Sequence, residues 1–483
     1  MSTERFVQRS ALPFPAEMVF DWHCRPGAFE RLTPPWEDVV VLERDGGLDD
    51  GGRIVLAIRA GGLRRRWVAE HFGYVPGCEF NDIQIKGPFA YWQHCHRVQP
   101  NGPDHCVLED RVDYALPFGR VGRAVGGSLV RDKLERMFRY RHEVTKSDLD
   151  RHQRYSGEQA MNIAITGSSG LVGEALIPFL TTGGHHIVRI TRSNRDGEKA
   201  IIWDPANDQL DPALLEGFDA VVHLAGESIA GHRWSAKQKA KIRDSRVQST
   251  QLLSKTLARL ARPPRVLISA SAIGYYGDRG NEMLDEKSAR GKGFLSEVCR
   301  EWEESTRAAA DAGIRVVNLR FGVILSPKGG ALAKLLTPFR FGLGGRVGSG
   351  RQWMSWVALD DVVGCIYHAI ATPDLRGPVN VVSPNPVTNR EFTATLARVL
   401  SRPAVLPMPA ALARLAFGEL ADELLLASVR VAPKELLDSG CRFAYPYLEA
   451  ALRHILGRNQ PTPESIKPLE MPWTFGQTAG SRN

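Results

Sequence analysis

Over the first 155 residues, apolar and polar residues alternate in short runs, a pattern that predicts antiparallel strands. The runs cover 53–59, 66–72, 80–85, 91–96 and 106–114, and Gly, Pro or Asn turns separate them. A short helix is predicted over 15–22. A longer one follows the strands and carries one apolar stripe made of Val130, Leu134, Met137, Phe138 and Val144. We therefore predict an α+β domain in which a curved sheet grips a long helix and leaves a cavity between them.

A different pattern begins at Met161. Mainly apolar strands without polar alternation are predicted at 161–166, 187–191, 220–224, 265–269 and 315–319, with helical stretches between them. Strands without polar alternation are buried on both faces, so we expect a doubly wound α/β sheet of the Rossmann type. After residue 403, apolar residues again recur at the spacing of a helix. The predicted order is a ligand-binding domain over 1–155, a linker over 156–160, a nucleotide-binding domain over 161–402, a helical module over 403–458 and a tail over 459–483.

Composition narrows the functional classes. The 483 residues are too many for one core, and the formal net charge of +8 would fit nucleic-acid binding. The excess of Lys and Arg lies only after Met161, so we predict solvated surface charge and no nucleic-acid partner. The seven cysteines contain no Cys-x-x-Cys pair, and no eighteen apolar residues run together. We expect a cytoplasmic protein without a membrane span.

The most informative motif is Thr166-Gly-Ser-Ser-Gly-Leu-Val-Gly173, between a buried strand and a helix. Gly167 suits a tight turn, Gly170 lets backbone approach a pyrophosphate, and Gly173 allows close helix packing. The helix N-terminus offers free N–H groups for phosphate. We therefore predict a dinucleotide site whose loop is made of Gly167, Ser168, Ser169, Gly170, Leu171, Val172 and Gly173.

The end of the second strand indicates which dinucleotide binds. It reads Thr191-Arg192-Ser193, where an NAD site usually places Asp or Glu. Arg192 and Ser193 are suited to a 2′-phosphate, with Arg195 as a second charge, so we predict NADP(H) rather than NAD(H). The alternative is that Arg192 is only solvated.

Further motifs resemble the extended short-chain dehydrogenase/reductases, and more closely their sugar-nucleotide-epimerase-like oxidoreductases. They are 223–226, 269–277, 320–325, 348–356 and 433–443, and the resemblance spans 161–457 with the small C-terminal domain of unknown function. The resemblance implies further cofactor contacts from Leu224, Ala225, Gly226, Ser271, Phe321 and Gly322.

The N-terminal segment resembles the START-like (SRPBCC, polyketide cyclase-like) superfamily through 14–20 and 26–36. That resemblance implies an apolar pocket without naming a ligand. His94, His96 and His105 lie near Cys95 and Cys106, but strand alternation places His94 and His96 on one face and Cys95 on the other. We expect ordinary strand residues there and no metal site.

The catalytic pattern of the resembled family is incomplete. Its Tyr and the Lys four residues later are replaced by Phe294 and Val298, neither of which can transfer a proton. Ser271 is the counterpart of the family's Ser, although alignment on the following Tyr-Gly pair would select Ala272. Tyr275 and Tyr276 are the local phenols, and either one can instead be a packing or turn residue.

The expected substrate region also departs from the family. Sugar-nucleotide epimerases carry an Arg two residues after Gln352, where this chain has Met354. The candidate substrate residues are Arg351, Gln352, Trp353 and Trp356. The tryptophans indicate a flatter, more apolar ligand, or else they belong to the core.

Three functions remain open from the sequence. The first is an NADP(H)-dependent oxidoreductase with an atypical proton donor that acts on an apolar molecule. The second is a non-catalytic protein that binds NADP(H) and a lipid-like ligand, and the third is a nucleoside-diphosphate-sugar epimerase. We expect small molecules in two pockets, and the oligomeric state is left open.

Overall fold

The structure is a computed structural model that describes residues 3–60, 62–155, 159–193, 200–231 and 233–459. Three residues of the predicted linker, nearly all of the predicted tail, and Arg195 lie outside these ranges. Within them, none of the helices has both the length and the apolar character needed to cross a membrane.

The N-terminal part is one antiparallel sheet with helices on its concave side. Its strands are β1 Glu4–Leu12, β2 Val39–Asp45, β3 Arg53–Ala60, β4 Leu63–Val75, β5 Glu79–Lys86, β6 Tyr91–Pro100 and β7 Cys106–Ala115. Its helices are α1 Ala16–Cys24, α2 Ala28–Leu32 and α3 Gly119–Arg154. The seven strands lie in the order β1-β7-β6-β5-β4-β3-β2. Leu134, Phe138 and Val144 of α3 are buried, which confirms the predicted sheet and gripping helix.

A cavity of about 730 Å³ lies between this sheet and the helices. Its walls are mostly apolar and aromatic, and include Trp67, Phe80, Phe89, Trp92 and Leu134. The helix-grip arrangement therefore leaves room for a small molecule inside the N-terminal domain.

The rest of the chain is built on a second, parallel sheet. The strands of this part are β8 Asn162–Thr166, β9 His186–Thr191, β10 Ala200–Ile202, β11 Ala220–His223, β12 Val266–Ala272, β13 Met283–Leu284, β14 Arg315–Phe321, β15 Val323–Leu325, β16 Trp353–Met354, β17 Trp356–Ala358, β18 Gly377–Val381, β19 Val387–Thr388 and β20 Arg430–Val431. The large sheet has the order β10-β9-β8-β11-β12-β14-β18. All its neighbouring strands are parallel, which confirms the predicted doubly wound fold.

Helices cover both faces of the parallel sheet and form the C-terminal module. They are α4 Leu171–Thr182, α5 Ala236–Leu257, α6 Phe294–Glu304, α7 Arg307–Asp311, α8 Gly330–Arg340, α9 Leu359–Ala371, α10 Asn389–Leu400, α11 Ala410–Phe417, α12 Lys434–Asp438 and α13 Leu448–Ile455. Ile163 and Ile165 pack into one core, and Ala164 between them packs into the core on the opposite face. The order in which successive strands are added to the sheet reverses between β8 and β11, and ligands of such sheets bind at the carboxyl ends of the strands at that point.

The N-terminal domain packs directly on α4. Gly27 has φ +95°, and a Cβ there would lie 2.5 Å from Thr181 Oγ1 and 2.7 Å from Pro178 Cα. Arg25 also donates a 2.9 Å hydrogen bond to the carbonyl of Thr182. Only glycine allows so close an approach, so α2 is held against the helix that begins at the glycine-rich loop.

A buried ionic network joins the two domains beside this contact. Arg31 of α2 donates two 2.7 Å hydrogen bonds to Asp148 of α3 and lies 3.0 Å from Asp360 of α9. Burial opposes its charge, but Asp148 and Asp360 outweigh that cost and raise the pKa of Arg31 well above its usual value. Arg151 of α3 pairs in the same way with Asp361 at 2.9 Å. The buried carboxylate of Asp360 is thus paired with Arg31 only while the domains stay in contact.

Candidate functional site

The glycine-rich loop connects β8 to α4 at the point where the strand order of the sheet reverses. Gly167 has φ +68°, and a Cβ there would lie 2.6 Å from the carbonyl carbon of Leu224. A Cβ on Gly173 would lie 2.4 Å from the Gly167 carbonyl oxygen. Both positions therefore require glycine for the loop and helix to close on each other.

Gly170 differs from these two because its backbone is unstrained. Its φ is −86°, and an added Cβ would meet only the Gly167 carbonyl oxygen, at 3.2 Å. It directly precedes Leu171, the first residue of α4, and both Gly170 and Ser169 are exposed, whereas Ser168 is buried. The missing side chain at Gly170 keeps the first N–H groups of α4 accessible to a phosphate.

A second loop, Leu224–Gly226, is held against the first by a buried polar cluster. Thr166 Oγ1 accepts hydrogen bonds from the N–H groups of Leu224 at 3.1 Å and Ala225 at 3.2 Å, and lies 2.7 Å from His223 Nδ1. The other ring nitrogen of His223 lies 2.9 Å from Thr250 Oγ1 of α5. Burial lowers the pKa of His223 to about 3, so the ring is neutral and acts as a brace. Sequence reasoning missed this brace, although a histidine ending an apolar strand could have indicated it.

Arg192 and Ser193 follow β9 directly and are exposed. In the sheet, Ile190 pairs with Thr166, so Arg192 leaves the same edge of the sheet as the glycine-rich loop. Thr191 Oγ1 donates a 3.1 Å hydrogen bond to the Ser193 carbonyl, which shapes this turn. A guanidinium at this edge is placed to pair with a phosphate on an adenine ribose.

Phe321 ends β14 at the same edge of the sheet, Gly322 follows it, and both are half-buried. A Cβ on Gly322 would lie 2.6 Å from the Ser355 carbonyl oxygen and 2.7 Å from Val382 Cγ1. Glycine is needed at position 322 because a side chain there would clash with these two residues. The residues present thus fit a dinucleotide, with an open helix N-terminus for its pyrophosphate and a cation for its ribose.

The predicted catalytic Ser271 belongs to a buried polar cluster. Its hydroxyl donates a 2.7 Å hydrogen bond to Glu303, which accepts two 2.8 Å bonds from Arg320. Glu303 lies nine residues after Phe294 on α6, roughly 13 Å along the helix axis. One substrate oxygen therefore cannot contact both Ser271 and the side chain at position 294, as it contacts both the Ser and the Tyr in the resembled family.

Tyr276 is also part of this cluster. Its hydroxyl accepts a 2.9 Å hydrogen bond from Arg320 and lies 2.8 Å from Asn380 Oδ1 and 2.9 Å from the Asp285 carbonyl. The side chain is fully buried. Burial raises the pKa of Tyr276 to about 12, which disfavours proton exchange near neutral pH. This environment matches the alternative in which Tyr276 is a packing residue.

Tyr275 has a different environment. It is half-buried, and the Arg320 guanidinium stacks 3.6 Å from its ring centre. The ring also contacts Tyr276 edge-on at 5.4 Å. Tyr275 thus combines a fixed ring with access to solvent, which Tyr276 lacks.

Phe294 and Val298 lie in the first turns of α6. The backbone N–H groups of Phe294 and Leu295 donate to the carboxylate of Glu423 at 3.0 and 3.2 Å, so a residue of the C-terminal module caps this helix. The Phe294 ring packs edge-on against Trp234 at 5.2 Å, and Val298 is buried. Phe294 therefore makes a packing contact at the position where the resembled family has its catalytic phenol.

The candidate substrate residues occupy three environments. Arg351 is exposed, and Trp353 is half-buried with the Arg430 guanidinium 4.1 Å from its ring. Gln352 is buried and donates 3.0 Å hydrogen bonds to the carbonyls of Val347 and Leu425. Trp356 has no exposed surface and packs in the core, so of the two alternatives for this residue the structure matches the core.

Three family models match the chain. The NAD dependent epimerase/dehydratase family matches residues 163–382, the domain of unknown function DUF1731 matches 408–455, and polyketide cyclase / dehydrase and lipid transport matches 12–138. These matches confirm both resemblances.

Known proteins resemble either nearly the whole chain or about three fifths of it. The crystal structure of the nucleoside-diphosphate sugar epimerase from Corynebacterium glutamicum is 36% identical with a TM-score of 0.78 and covers 95% of this chain and 91% of its own. The structure of human epimerase family protein SDR39U1 with NADPH is 34% identical with a TM-score of 0.57, over 61% of this chain and 99% of its own. An epimerase family protein of Mycobacterium bovis is 44% identical over 61% of this chain and 98% of its own length. The chain therefore belongs to the NAD dependent epimerase/dehydratase family, as a member with an additional N-terminal polyketide cyclase-like domain.

Proposed function

We propose that the chain is an NADP(H)-dependent oxidoreductase that acts on a small, largely apolar carbonyl or alcohol. The observation that carries the proposal is the open N-terminus of α4 at Gly170, braced against the Leu224–Gly226 loop, with Arg192 at the same edge of the sheet. The NADPH bound by a relative of 34% identity supports the same cofactor here. When bound, this cofactor supplies or accepts a hydride.

In this proposal each part of the site has one task. The N–H groups at the start of α4 bind the pyrophosphate, and Arg192 with Ser193 binds the 2′-phosphate. Tyr275 exchanges the proton with the substrate oxygen, so that a carbonyl gains one hydride and one proton to become an alcohol. The Arg320 guanidinium positions the Tyr275 ring.

Replacing Arg192 by alanine tests the cofactor preference. We expect the Kd for NADPH to rise about tenfold, roughly 1.4 kcal/mol, while the Kd for NADH stays unchanged because it lacks the 2′-phosphate. Fluorescence titration with each cofactor measures both values. Arg307→Ala, at an exposed arginine of α7, is the matched control, and an equal loss for NADH would contradict the assignment.

Replacing Tyr275 by phenylalanine tests the proton donor. We expect kcat to fall about hundredfold with NADPH affinity retained, since a positioned proton donor contributes at least that much. The readout is NADPH turnover across a panel of apolar aldehydes and ketones. Tyr91→Phe, in the N-terminal sheet, is the control; an unchanged kcat in Tyr275→Phe, or no turnover by the wild type with any carbonyl, would overturn the catalytic role.

The contact between α2 and α4 favours a second candidate function, in which the protein links NADP(H) binding to occupancy of the N-terminal cavity. Residues 25–29 line that cavity, and Gly27 lies against α4. Linkage requires each ligand to change the affinity of the other by the same factor. Titration of NADPH with and without a saturating fluorescent fatty acid tests it, and identical Kd values would dispose of this candidate.

Sugar-nucleotide epimerisation is the alternative that the name of the Corynebacterium glutamicum relative suggests. In this chain Gln352 binds backbone carbonyls and position 354 is methionine, which leaves no arginine fork at that place for a diphosphate. Calorimetry with uridine and thymidine diphosphate sugars tests the alternative, and the proposed oxidoreductase predicts no binding of either.

A further inference from the structure

A cluster of histidines and carboxylates lines the N-terminal cavity, away from the dinucleotide site. In the strand register Asp82 of β5 lies opposite His94 of β6, and His96 of β6 lies opposite Asp110 of β7. Residues two apart on a strand share a face, so all four side chains lie on the concave side. Asp82, His94 and His96 also line the cavity itself.

Three of these side chains converge closely enough to share one ion. One ligand atom from each of Asp82, His94 and His96 lies within 4.8 Å of the other two. His94 Nδ1 and Asp82 Oδ2 are 3.1 Å apart, close to the roughly 3.0–3.4 Å between neighbouring ligands when each lies about 2.1 Å from a metal. The three side chains therefore need to move only slightly to bind one ion together.

Asp110 supports both histidines from behind. Its Oδ1 lies 3.0 Å from His94 Nε2 and 2.6 Å from His96 Nδ1, and its Oδ2 lies 2.7 Å from His142 Nε2. A carboxylate that holds the far nitrogen of a metal-ligating histidine fixes its ring and tautomer. Both ring nitrogens of His94 face carboxylates, Nε2 facing Asp110 at 3.0 Å and Nδ1 facing Asp82 at 3.1 Å. This arrangement requires either a second ring proton or a bound cation between His94 and Asp82.

The burial of the cluster gives a second, independent observation. His94 is 3% exposed and His96 is 8% exposed, so both imidazoles are withdrawn from bulk water. Buried carboxylates need a cationic partner, and a metal ion held by this cluster would supply that charge to Asp82 and Asp110.

We propose that Asp82, His94 and His96 bind a divalent transition-metal ion of the zinc or iron(II) class at the wall of the N-terminal cavity. Two imidazoles with one carboxylate favour such ions over Mg²⁺ and Ca²⁺, which prefer all-oxygen sites. Three protein ligands leave at least one coordination position, and the cavity lies on that side for an oxygen of a bound molecule. The proposal replaces the sequence expectation of no metal site, because the third ligand comes from a different strand than the two histidines.

The test is titration of the full-length, EDTA-treated protein with Zn²⁺ and Co²⁺. The proposal predicts one ion per chain by calorimetry, visible absorption bands from bound Co²⁺, and a higher Tm with Zn²⁺ present. Asp82→Asn and His96→Ala should each weaken Zn²⁺ binding by about hundredfold or more, since each removes a ligand. Asp82→Asn is nearly isosteric, and circular dichroism shows whether each variant has folded.

His71→Ala is the matched control, because His71 lines the same cavity but lies outside the three-residue cluster. It should keep the wild-type affinity and the Co²⁺ spectrum. Absence of stoichiometric Zn²⁺ and Co²⁺ binding by the wild type would overturn the proposal and leave a proton on His94 as the cation between the two carboxylates. Equal affinity in wild type and folded Asp82→Asn would overturn it as well.

Discussion

Replacing Gly170 by valine is expected to weaken NADPH binding about hundredfold, roughly 2.7 kcal/mol, while the protein still folds. Gly170 has an ordinary φ of −86°, so a side chain causes no backbone strain. Its Cβ would meet only one protein atom, the Gly167 carbonyl oxygen at 3.2 Å. The branched side chain would instead occupy the space in front of the α4 N-terminus, where we place the pyrophosphate.

The control separates lost binding from lost folding. Gly126→Val places the same side chain in α3 of the other domain, where the nearest atom is Leu116 Cδ1 at 3.7 Å. Both variants should show cooperative melting, and only Gly170→Val should lose NADPH binding by fluorescence titration. Wild-type affinity in Gly170→Val would place the cofactor elsewhere.

Replacing Arg31 by leucine is expected to lower the free energy of unfolding by about 3–5 kcal/mol. The substitution removes three contacts of 2.7–3.0 Å, so that Asp148 loses its hydrogen-bonded cation and Asp360 keeps only His454, 3.3 Å away. Arg31→Lys keeps the charge but not the two-pronged hydrogen bonding to Asp148, so its loss should be intermediate. Urea unfolding of the full chain, followed by circular dichroism, measures both variants.

An exposed ion pair provides the comparison for Arg31. Arg66 pairs with Glu43 at 2.8 Å, and both side chains are at least half exposed. Arg66→Leu should leave the unfolding midpoint unchanged, as exposed pairs contribute little. If Arg31→Leu behaved like Arg66→Leu, the buried network would not be what holds the two domains together.

Local sequence patterns predicted the folds of both large domains, because each fold produces a pattern that can be recognised among neighbouring residues. Apolar strands such as 220–224 can only be covered on both faces, and glycines at 167, 170 and 173 between such a strand and a helix indicate a dinucleotide loop. Both properties depend on residues adjacent in the chain.

Contacts between distant residues were not predictable in this way. Ser271, Glu303 and Arg320 come from three elements, and nothing in the segment around Ser271 indicates that its hydroxyl is bound to Glu303. The interdomain pair of Arg31 with Asp360 likewise joins residues far apart in sequence. Asp82 lies beside His94 and His96 because of the register in which their two strands pair. The alternation of polar and apolar residues does not by itself determine that register.

The central claim is that the α4 N-terminus and Arg192 form an NADP(H) site. Calorimetric titration of the wild-type protein with NADPH and with NADH tests it most directly. We expect one NADPH per chain, bound at least about tenfold more tightly than NADH because of the 2′-phosphate. Absence of NADPH binding, or equal affinity for the two cofactors, would contradict it.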